Sequence, residues 1–405
     1  MPSSSGDCIE NVTGELPAVL RGRVIVCVGF ADWDASPWTN QQHLMSRLAR
    51  QNRVLFVESL GLRRPQFAGR DLSRMARRVR RSLAGPRAAD GVNVLSPLVI
   101  PLHSGKVVRA LNSRLLRRQV ARAVRRLGIR RPILWGYVPQ AEALIDAIEP
   151  SLIVYHCVDD FGAYKGIDTK SVRTMEERFA AQADLVIASS PTLARRMREL
   201  SGNVLEAPNV ADTALFSSAL EAGPVDPELA ALREPRIVFT GAITATKLDF
   251  GLLRGLARLR ADWTLALVGP VGVGDPGTDV SGLAGLPNVH LLGSRRYAEL
   301  PAVLRGAAAG LIPYLRNEYT ASVFPMKVYE YLAAGLPVVS TPLPALEGVT
   351  GIAFGTDAAE TGARLDELIA ADSPGRRAER ARLAAGHSWD ARLDQIAAEL
   401  KRLDR

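Results

Sequence analysis

Phe324-Pro-Met-Lys-Val-Tyr-Glu-Tyr-Leu-Ala-Ala-Gly-Leu-Pro-Val-Val339 is the segment on which the fold turns. Pro325 suits the first position of a helix, where its missing N–H costs nothing, and Gly335 suits the residue just past the end. The spacing predicts a helix of about ten residues that runs directly into a strand at 337–341. Lys327 and Glu330, three apart, share one face of that helix, while Val328 and Leu332, four apart, share another that can pack on a sheet. A helix feeding an apolar strand without a long loop is the building block of a parallel sheet.

Outward from this segment the same alternation runs in both directions. Upstream, short runs rich in Val, Ile and Leu predict strands at 236–243, 264–269, 289–293 and 309–314, with another downstream at 351–354. An earlier series falls at 23–30, 53–59, 93–100, 133–138, 151–158, 184–189 and 203–207. Between the two series lies a polar stretch containing Pro and Gly, from Asp212 to Pro235, which reads as a linker. The expected architecture is therefore α/β, with two tandem Rossmann-like domains. Residues 1–211 form the first, with a basic insert at 61–131, and residues 236–387 form the second, followed by a C-terminal helix at 388–405. In such domains ligands sit at the carboxyl ends of the strands, so a central cleft is the expected active site.

With 405 residues, 47% of them hydrophobic, the chain has ample apolar surface for two cores, which excludes a disordered tail or a disulfide-stapled mini-protein. Cys8, Cys27 and Cys157 are too few and too scattered for a disulfide framework or a four-ligand zinc site. No run approaches the ~18 apolar residues that span a bilayer, and Met1 to Glu10 lacks a basic segment followed by an apolar one. A cytoplasmic protein is expected.

The formal net charge of +9 is unevenly placed. Residues 61–131 carry nineteen Lys and Arg against Asp71 and Asp90, a net +17, which leaves the rest of the chain at −8. Within that window Leu72, Met75, Val79 and Leu83, and then Val108, Leu111, Leu115, Val120, Val124 and Leu127, recur at helical spacing between arginines. Arg74, Arg77, Arg78, Arg81, Arg117 and Arg118 are the candidate contacts of this acceptor-side basic region with an anionic membrane, at about 1 kcal/mol per basic residue near the surface. A merely solvated face is the alternative. Nucleic acid is not expected, because no aromatic side chain is interleaved between Arg70 and Arg131 to stack on bases.

In the segment 324–339, a carboxylate at Glu330 can accept hydrogen bonds from both hydroxyls of a ribose. Lys327 and the free N–H groups at the helix start can hold a pyrophosphate. From spacing alone, the same two residues also suit a plain surface ion pair.

The segment resembles the donor-site signature of retaining, nucleotide-sugar-dependent glycosyltransferases of the GT-B fold, the family-4-like group that includes many cell-envelope polysaccharide enzymes. Ala183-Asp-Leu-Val-Ile-Ala-Ser-Ser-Pro-Thr-Leu193, Ala207-Pro-Asn-Val-Ala-Asp212 and Phe239-Thr-Gly-Ala-Ile243 with Lys247 are similar to further parts of that family. Val154-Tyr-His-Cys-Val-Asp-Asp-Phe161 and Trp38-Thr-Asn-Gln-Gln-His43 resemble a bacterial branch near the teichuronic-acid-type transferases. The resemblance implies that Glu330 binds ribose, that Lys327 and Lys247 lie near the diphosphate, and that Gly241 lets backbone approach the phosphates. Where the family pattern places another glutamate, with seven residues between it and Glu330, this chain has Ser322.

The resemblance further implies transfer of a sugar from a nucleoside-diphosphate donor to a hydroxyl acceptor, with retention. It implies no cofactor and no essential metal, the leaving diphosphate being neutralised by basic side chains. Asp159-Asp160 lacks the separated pair of a metal-dependent class, so no metal ligand is assigned. His156 and Asp160 are the candidate catalytic residues, orienting the acceptor hydroxyl or the donor sugar; a loop turn and helix cap is the alternative for this Asp. The glycines from Gly269 to Gly277 do not complete a dinucleotide fingerprint and read as an ordinary loop. Given the basic region, a lipid-linked acceptor and peripheral attachment at the inner membrane face are expected. The rivals are a soluble natural-product glycosyltransferase and a non-catalytic binding module on a transferase scaffold.

Overall fold

Two successive sheets organise the chain, and the inner strands of each are apolar and buried on both faces. A computed structural model describes residues 15–35, 38–59, 81–82, 85–100, 106–163 and 168–403. Two units emerge, one of Met1–Pro208 with Leu393–Arg405, the other of Asn209–Arg392.

In the first unit the described strands are β1 (Val24–Val28), β2 (Arg53–Val57), β3 (Arg87–Ala89), β4 (Val92–Leu95), β5 (Ile133–Gly136), β6 (Leu152–Cys157), β7 (Leu185–Ala188) and β8 (Val204–Glu206). Their order across the sheet is β3-β4-β2-β1-β5-β6-β7-β8, parallel except for the β3–β4 pair. Chain direction across the sheet reverses between β1 and β5, a topological switch point. Helix α1 (Asn40–Ala49) follows β1 and starts with a capping box between Thr39 and Gln42. Helix α2 (Lys106–Arg126) precedes β5 and buries Leu116, Val120, Ala123 and Val124. Helices α3 (Thr169–Gln182), capped by Asp168, and α4 (Pro191–Arg198), capped by Ser190 with Pro191 in its first turn, follow β6 and β7.

The second unit holds β9 (Arg236–Thr240), β10 (Thr264–Val268), β11 (Val289–Gly293), β12 (Ala309–Ile312), β13 (Val338–Ser340) and β14 (Ile352–Phe354). They are ordered β11-β10-β9-β12-β13-β14 and all parallel. Counted within the unit this is 3-2-1-4-5-6, the doubly wound order, with its switch point between β9 and β12. Helix α5 (Phe250–Leu259) follows β9 behind its cap Asp249, and α6 (Lys327–Ala333) joins β12 to β13. The last helix, α7 (Trp389–Leu403), begins in the second unit and ends in the first.

Two expectations need correction. Residues 212–235 are not a free linker: Asp212 caps a helix at Thr213–Ser217, Asp226 caps another at Pro227–Ala230, and Phe216 and Leu229 are fully buried in the second unit's core. Helix α6 has seven residues rather than about ten, and Pro325 lies ahead of its N-cap Met326. The preceding backbone is held elsewhere, since Asn209 Nδ2 donates to the Phe324 carbonyl at 2.9 Å. The other end fits its signal. Gly335 has φ +75°, its N–H donates to the Leu332 carbonyl, and the Leu336 N–H reaches back to Tyr331, which is a Schellman closure.

Candidate functional site

At the β9–β12 switch point the chain leaves β9 through Thr240 and Gly241. The Thr240 N–H donates to the Tyr331 hydroxyl at 2.7 Å, so the end of β9 is tied to helix α6. Tyr331 is fully buried, and burial pushes its phenol well above the ordinary value, so it stays neutral as an acceptor. Gly241 has φ +138°, and a Cβ built there would lie 3.0 Å from Lys327 Cε. A side chain at the neighbouring Gly269 would stand 1.9 Å from the Gly241 carbonyl oxygen. The two glycines thus let the β9 and β10 exits touch and leave the Lys327 side chain lying over bare backbone.

Lys327 Nζ donates to Glu330 Oε2 at 3.2 Å. The glutamate side chain is 2% exposed and the lysine 18%, so this pair sits inside the unit rather than on its surface. Lys247 lies in the loop after β9, its ammonium 4.8 Å from the centre of the Tyr314 ring. That loop is pinned to the extension of β12 by the Leu315 N–H, which donates to the Lys247 carbonyl at 2.8 Å, and by Asn317 Nδ2, which donates to the Thr246 carbonyl at 3.1 Å. Ser322 ends a buried 3-10 turn at Thr320–Ser322 beside this anchor. Gly241, Lys327 and Glu330 are therefore brought together, and Lys247 and Ser322 flank the same switch point. The loop holding Gly272 and Gly274 is joined to the β9 loop, since the Thr246 N–H donates to Asp275 at 3.0 Å and the Ala245 N–H to Thr278 at 3.1 Å.

Helix α6 also contributes one ring of a stacked pair. Tyr329 lies on His387 with centroids 3.9 Å apart and planes 10° apart. Burial raises the Tyr329 phenol to about 12, while burial and then the Arg392 charge hold the His387 imidazole below its ordinary value.

The sequence-derived catalytic pair of the first unit behaves differently. His156, at the end of β6, is 4% exposed and stacks on Tyr137 with centroids 4.8 Å apart. Asp160 is an ion-pair hub: its Oδ2 meets Arg173 at 2.7 Å and Arg196 at 2.8 Å, and its Oδ1 accepts the Gly162 N–H at 3.1 Å. The same two guanidinium groups reach buried Glu176, at 3.2 and 3.0 Å, which also accepts the Tyr155 hydroxyl at 2.7 Å. Burial is the largest single influence on the Arg196 guanidinium and lowers it, but the anionic groups around it, Glu176 first and Asp160 among them, together outweigh burial and raise it. Burial, with Glu176 adding to it, pushes the Cys157 thiol up to about 12. Arg173, Glu176 and Arg196 were not singled out from sequence; the spacing of Arg173 and Glu176, three apart on a helix, was the available signal. Among the described residues no group of three or more His, Cys, Asp or Glu side chains could hold a metal ion.

Of the basic candidates, Arg74, Arg77 and Arg78 lie outside the described residues, as do Leu72, Met75, Val79 and Leu83. Arg81 pairs with Asp34 at 3.4 Å, Arg117 pairs with Asp146 at 2.9 Å, and Arg118 is exposed on α2. Among the described residues, no helix is long and apolar enough to cross a membrane.

Residues 234–371 match the glycosyl transferases of group 1. Over 226 residues the chain is 31% identical to the putative teichuronic acid biosynthesis glycosyltransferase TuaH of Bacillus subtilis (strain 168), a match covering 52% of this chain and 55% of that relative. The likeness thus spans little more than half of the relative's length. Among solved structures, sucrose-phosphate synthase from Thermosynechococcus elongatus superposes with a TM-score of 0.65 at 15% identity, covering 94% of this chain and 99% of that one. Anabaena HepE in complex with UDP does so with a TM-score of 0.63 at 15% identity, covering 94% and 100%. At such identities the likeness is one of fold, and that fold is GT-B: two parallel-sheet α/β domains with a C-terminal helix.

Proposed function

From the premise that residues 234–371 form a group 1 glycosyl transferase domain, we propose that the chain transfers a glycosyl group from a nucleoside-diphosphate sugar to a hydroxyl acceptor. The observation that carries this reading is the buried Lys327–Glu330 pair beneath Gly241 at the β9–β12 switch point. A carboxylate shielded from water, with one oxygen steadied by an ammonium, is preorganised to accept hydrogen bonds from the vicinal hydroxyls of a ribose. The Lys327 ammonium, over a bare glycine backbone, and Lys247 on the adjoining loop supply positive charge for the diphosphate. In transfer, the bond from the anomeric carbon to the diphosphate oxygen breaks, a bond to the acceptor oxygen forms, and the acceptor hydroxyl loses its proton. Negative charge builds on the leaving phosphates, and the two lysines offset it without a metal. Retention at the anomeric carbon belongs to the same reading.

HepE has been crystallised with UDP and with UDP-glucose, which makes UDP the first nucleotide to try. In the first unit His156, at the carboxyl end of β6, is assigned to substrate orientation. Asp160 is assigned a positioning role, because both of its oxygens are already engaged. The likeness to a teichuronic acid biosynthesis protein and the basic N-terminal region favour a cell-envelope acceptor, lipid-linked and presented at an anionic membrane, with the protein attached peripherally on the cytoplasmic side. Ser322, which stands where the family pattern has a carboxylate, favours a second reading, a non-catalytic nucleotide-binding module.

Calorimetric titration with UDP, GDP and ADP, followed by mass spectrometry of products from a donor screen, tests the proposal. Nucleotide binding with a sugar-bearing product supports the transferase. Binding without any product supports the second reading, and no binding to any of the three removes both.

A further inference from the structure

Helix α2 contains no acidic residue along its 21 positions. Its buried side is Leu116, Val120, Ala123 and Val124. Two flanking arginines are spent on the protein itself, Arg109 on Asp168 at 3.0 Å and Arg117 on Asp146 at 2.9 Å. Opposite the buried side runs a single stripe of Val107, Leu111, Arg114, Arg118, Arg122 and Arg125, spaced by threes and fours and all exposed. At 3.6 residues per turn these six fall within about 80° of arc and extend about 27 Å along the axis. Val107 is 75% exposed and Leu111 43%. Among the described residues, none of the four arginines has an ion-pair partner.

We propose that this stripe of α2 is the surface by which the protein lies on an anionic lipid bilayer, with Val107 and Leu111 entering the headgroup region and the four guanidinium groups on lipid phosphates. The inference deepens the membrane-facing reading given above and rests on it for its purpose, but not for its test. Charge complementarity selects an anionic partner. The exposed aliphatic pair at one end selects lipid over nucleic acid, since a phosphodiester backbone offers those side chains nothing to enter, and α2 carries no aromatic ring to stack on a base. The helix is held to its own unit through its opposite face, so the stripe needs no rearrangement to meet a flat surface.

The full chain, sedimented with vesicles of phosphatidylcholine alone or mixed with phosphatidylglycerol, tests the assignment. Binding is expected only to the anionic vesicles, and it disappears at about 0.5 M salt, where the Debye length shrinks to a few ångströms. The variant R114Q/R118Q/R122Q/R125Q loses at least ~100-fold in partitioning. The variant V107S/L111S loses about tenfold while keeping the salt dependence. R233Q/R258Q/R376Q/R382Q, which removes the same charge from exposed positions of the second unit, stays within about threefold of the parent, because those residues are not on the stripe. Should the fourfold α2 variant fail to fold, R114Q/R118Q and R122Q/R125Q each read about a tenfold loss. Equal losses from the control variant, equal binding to phosphatidylcholine alone, or duplex DNA bound through the same four arginines without vesicle binding would each overturn it. Titrating UDP into the same proteins keeps the two readings apart: a chain that binds UDP and ignores vesicles loses only this inference, and one that binds vesicles but no nucleotide loses only the donor site.

Discussion

Glu330 Oε2 accepts a hydrogen bond from Lys327 Nζ at 3.2 Å inside the second unit, where the carboxylate side chain is 2% exposed and the ammonium side chain 18%. Three-residue spacing on a helix ordinarily yields a solvated pair of little energetic weight; burial changes that. Removing the cation strands a buried carboxylate, whereas replacing the carboxylate by an amide frees a lysine that still reaches solvent. Lys327→Met is therefore expected to cost about 1–3 kcal/mol of stability, more than Glu330→Gln, in denaturant titrations of the full chain. Equal costs would mean that the pair is as solvated as a surface one.

The two glycines behind Lys327 differ in what a methyl group would strike. At Gly241 it meets the flexible end of Lys327 at 3.0 Å; at Gly269 it meets the Gly241 carbonyl oxygen at 1.9 Å. Gly241→Ala is expected to fold, with about 1–2 kcal/mol of backbone strain, and to bind nucleotide more weakly because the ammonium is displaced. Gly269→Ala is expected to lose considerably more stability, as backbone cannot step aside. Thermal unfolding of the two proteins side by side checks the ranking, and the reverse order would contradict the described β9–β10 exit.

How much of this was legible beforehand differs between elements. All thirteen strands expected from apolar runs are present, because a buried parallel strand writes itself as a continuous Val/Ile/Leu run. The strand that escaped, β3, reads Arg-Ala-Ala and has no such run. Its signal lay in the turn: Asp90-Gly91, with φ of 46° and 79°, is the Asp-Gly pair of a tight hairpin. Pro325 misled about the start of α6, since a proline suits the approach to a helix as well as its first turn. The close pairing of Lys327 with Glu330 followed from spacing, but their burial depended on Gly241 approaching from a strand more than eighty residues earlier, which no local pattern encodes. The clamp on Asp160 was hidden for the same reason: Arg173 and Arg196 sit on two different helices.

That clamp carries its own expectation. Asp160→Asn leaves two guanidinium groups sharing Glu176 alone, at an expected cost of about 2–4 kcal/mol. Lost activity in that variant should track lost folding and recover in part on cooling or on adding a stabilising osmolyte. A variant as stable as the parent yet without turnover would instead make Asp160 a proton-transfer group.

His387 sets a pH dependence. Its folded value is depressed by burial and by the Arg392 charge, from an ordinary 6.5. Above that ordinary value both the folded and unfolded states hold it neutral and it contributes nothing. As pH falls through 6.5 the unfolded chain takes up a proton that the folded chain refuses, so stability declines until the lowered folded value is passed. His387→Phe, which keeps a ring on Tyr329, should therefore flatten the fall of the unfolding midpoint between about pH 7 and pH 5, above the range of the depressed carboxylates of Asp226 and Asp372. Parallel midpoint curves for the two proteins would remove His387 from the account.

The donor site itself is tested most directly by titrating UDP and 2′-deoxy-UDP, in parallel, into the parent chain and Glu330→Gln by calorimetry. The parent should prefer UDP by at least ~10-fold, the worth of one charge-assisted hydrogen bond to the missing hydroxyl, and the variant should bind UDP more weakly and lose the preference. A parent that binds both nucleotides equally, or a Glu330→Gln chain that still discriminates between them, would contradict the claim that this carboxylate grips the ribose.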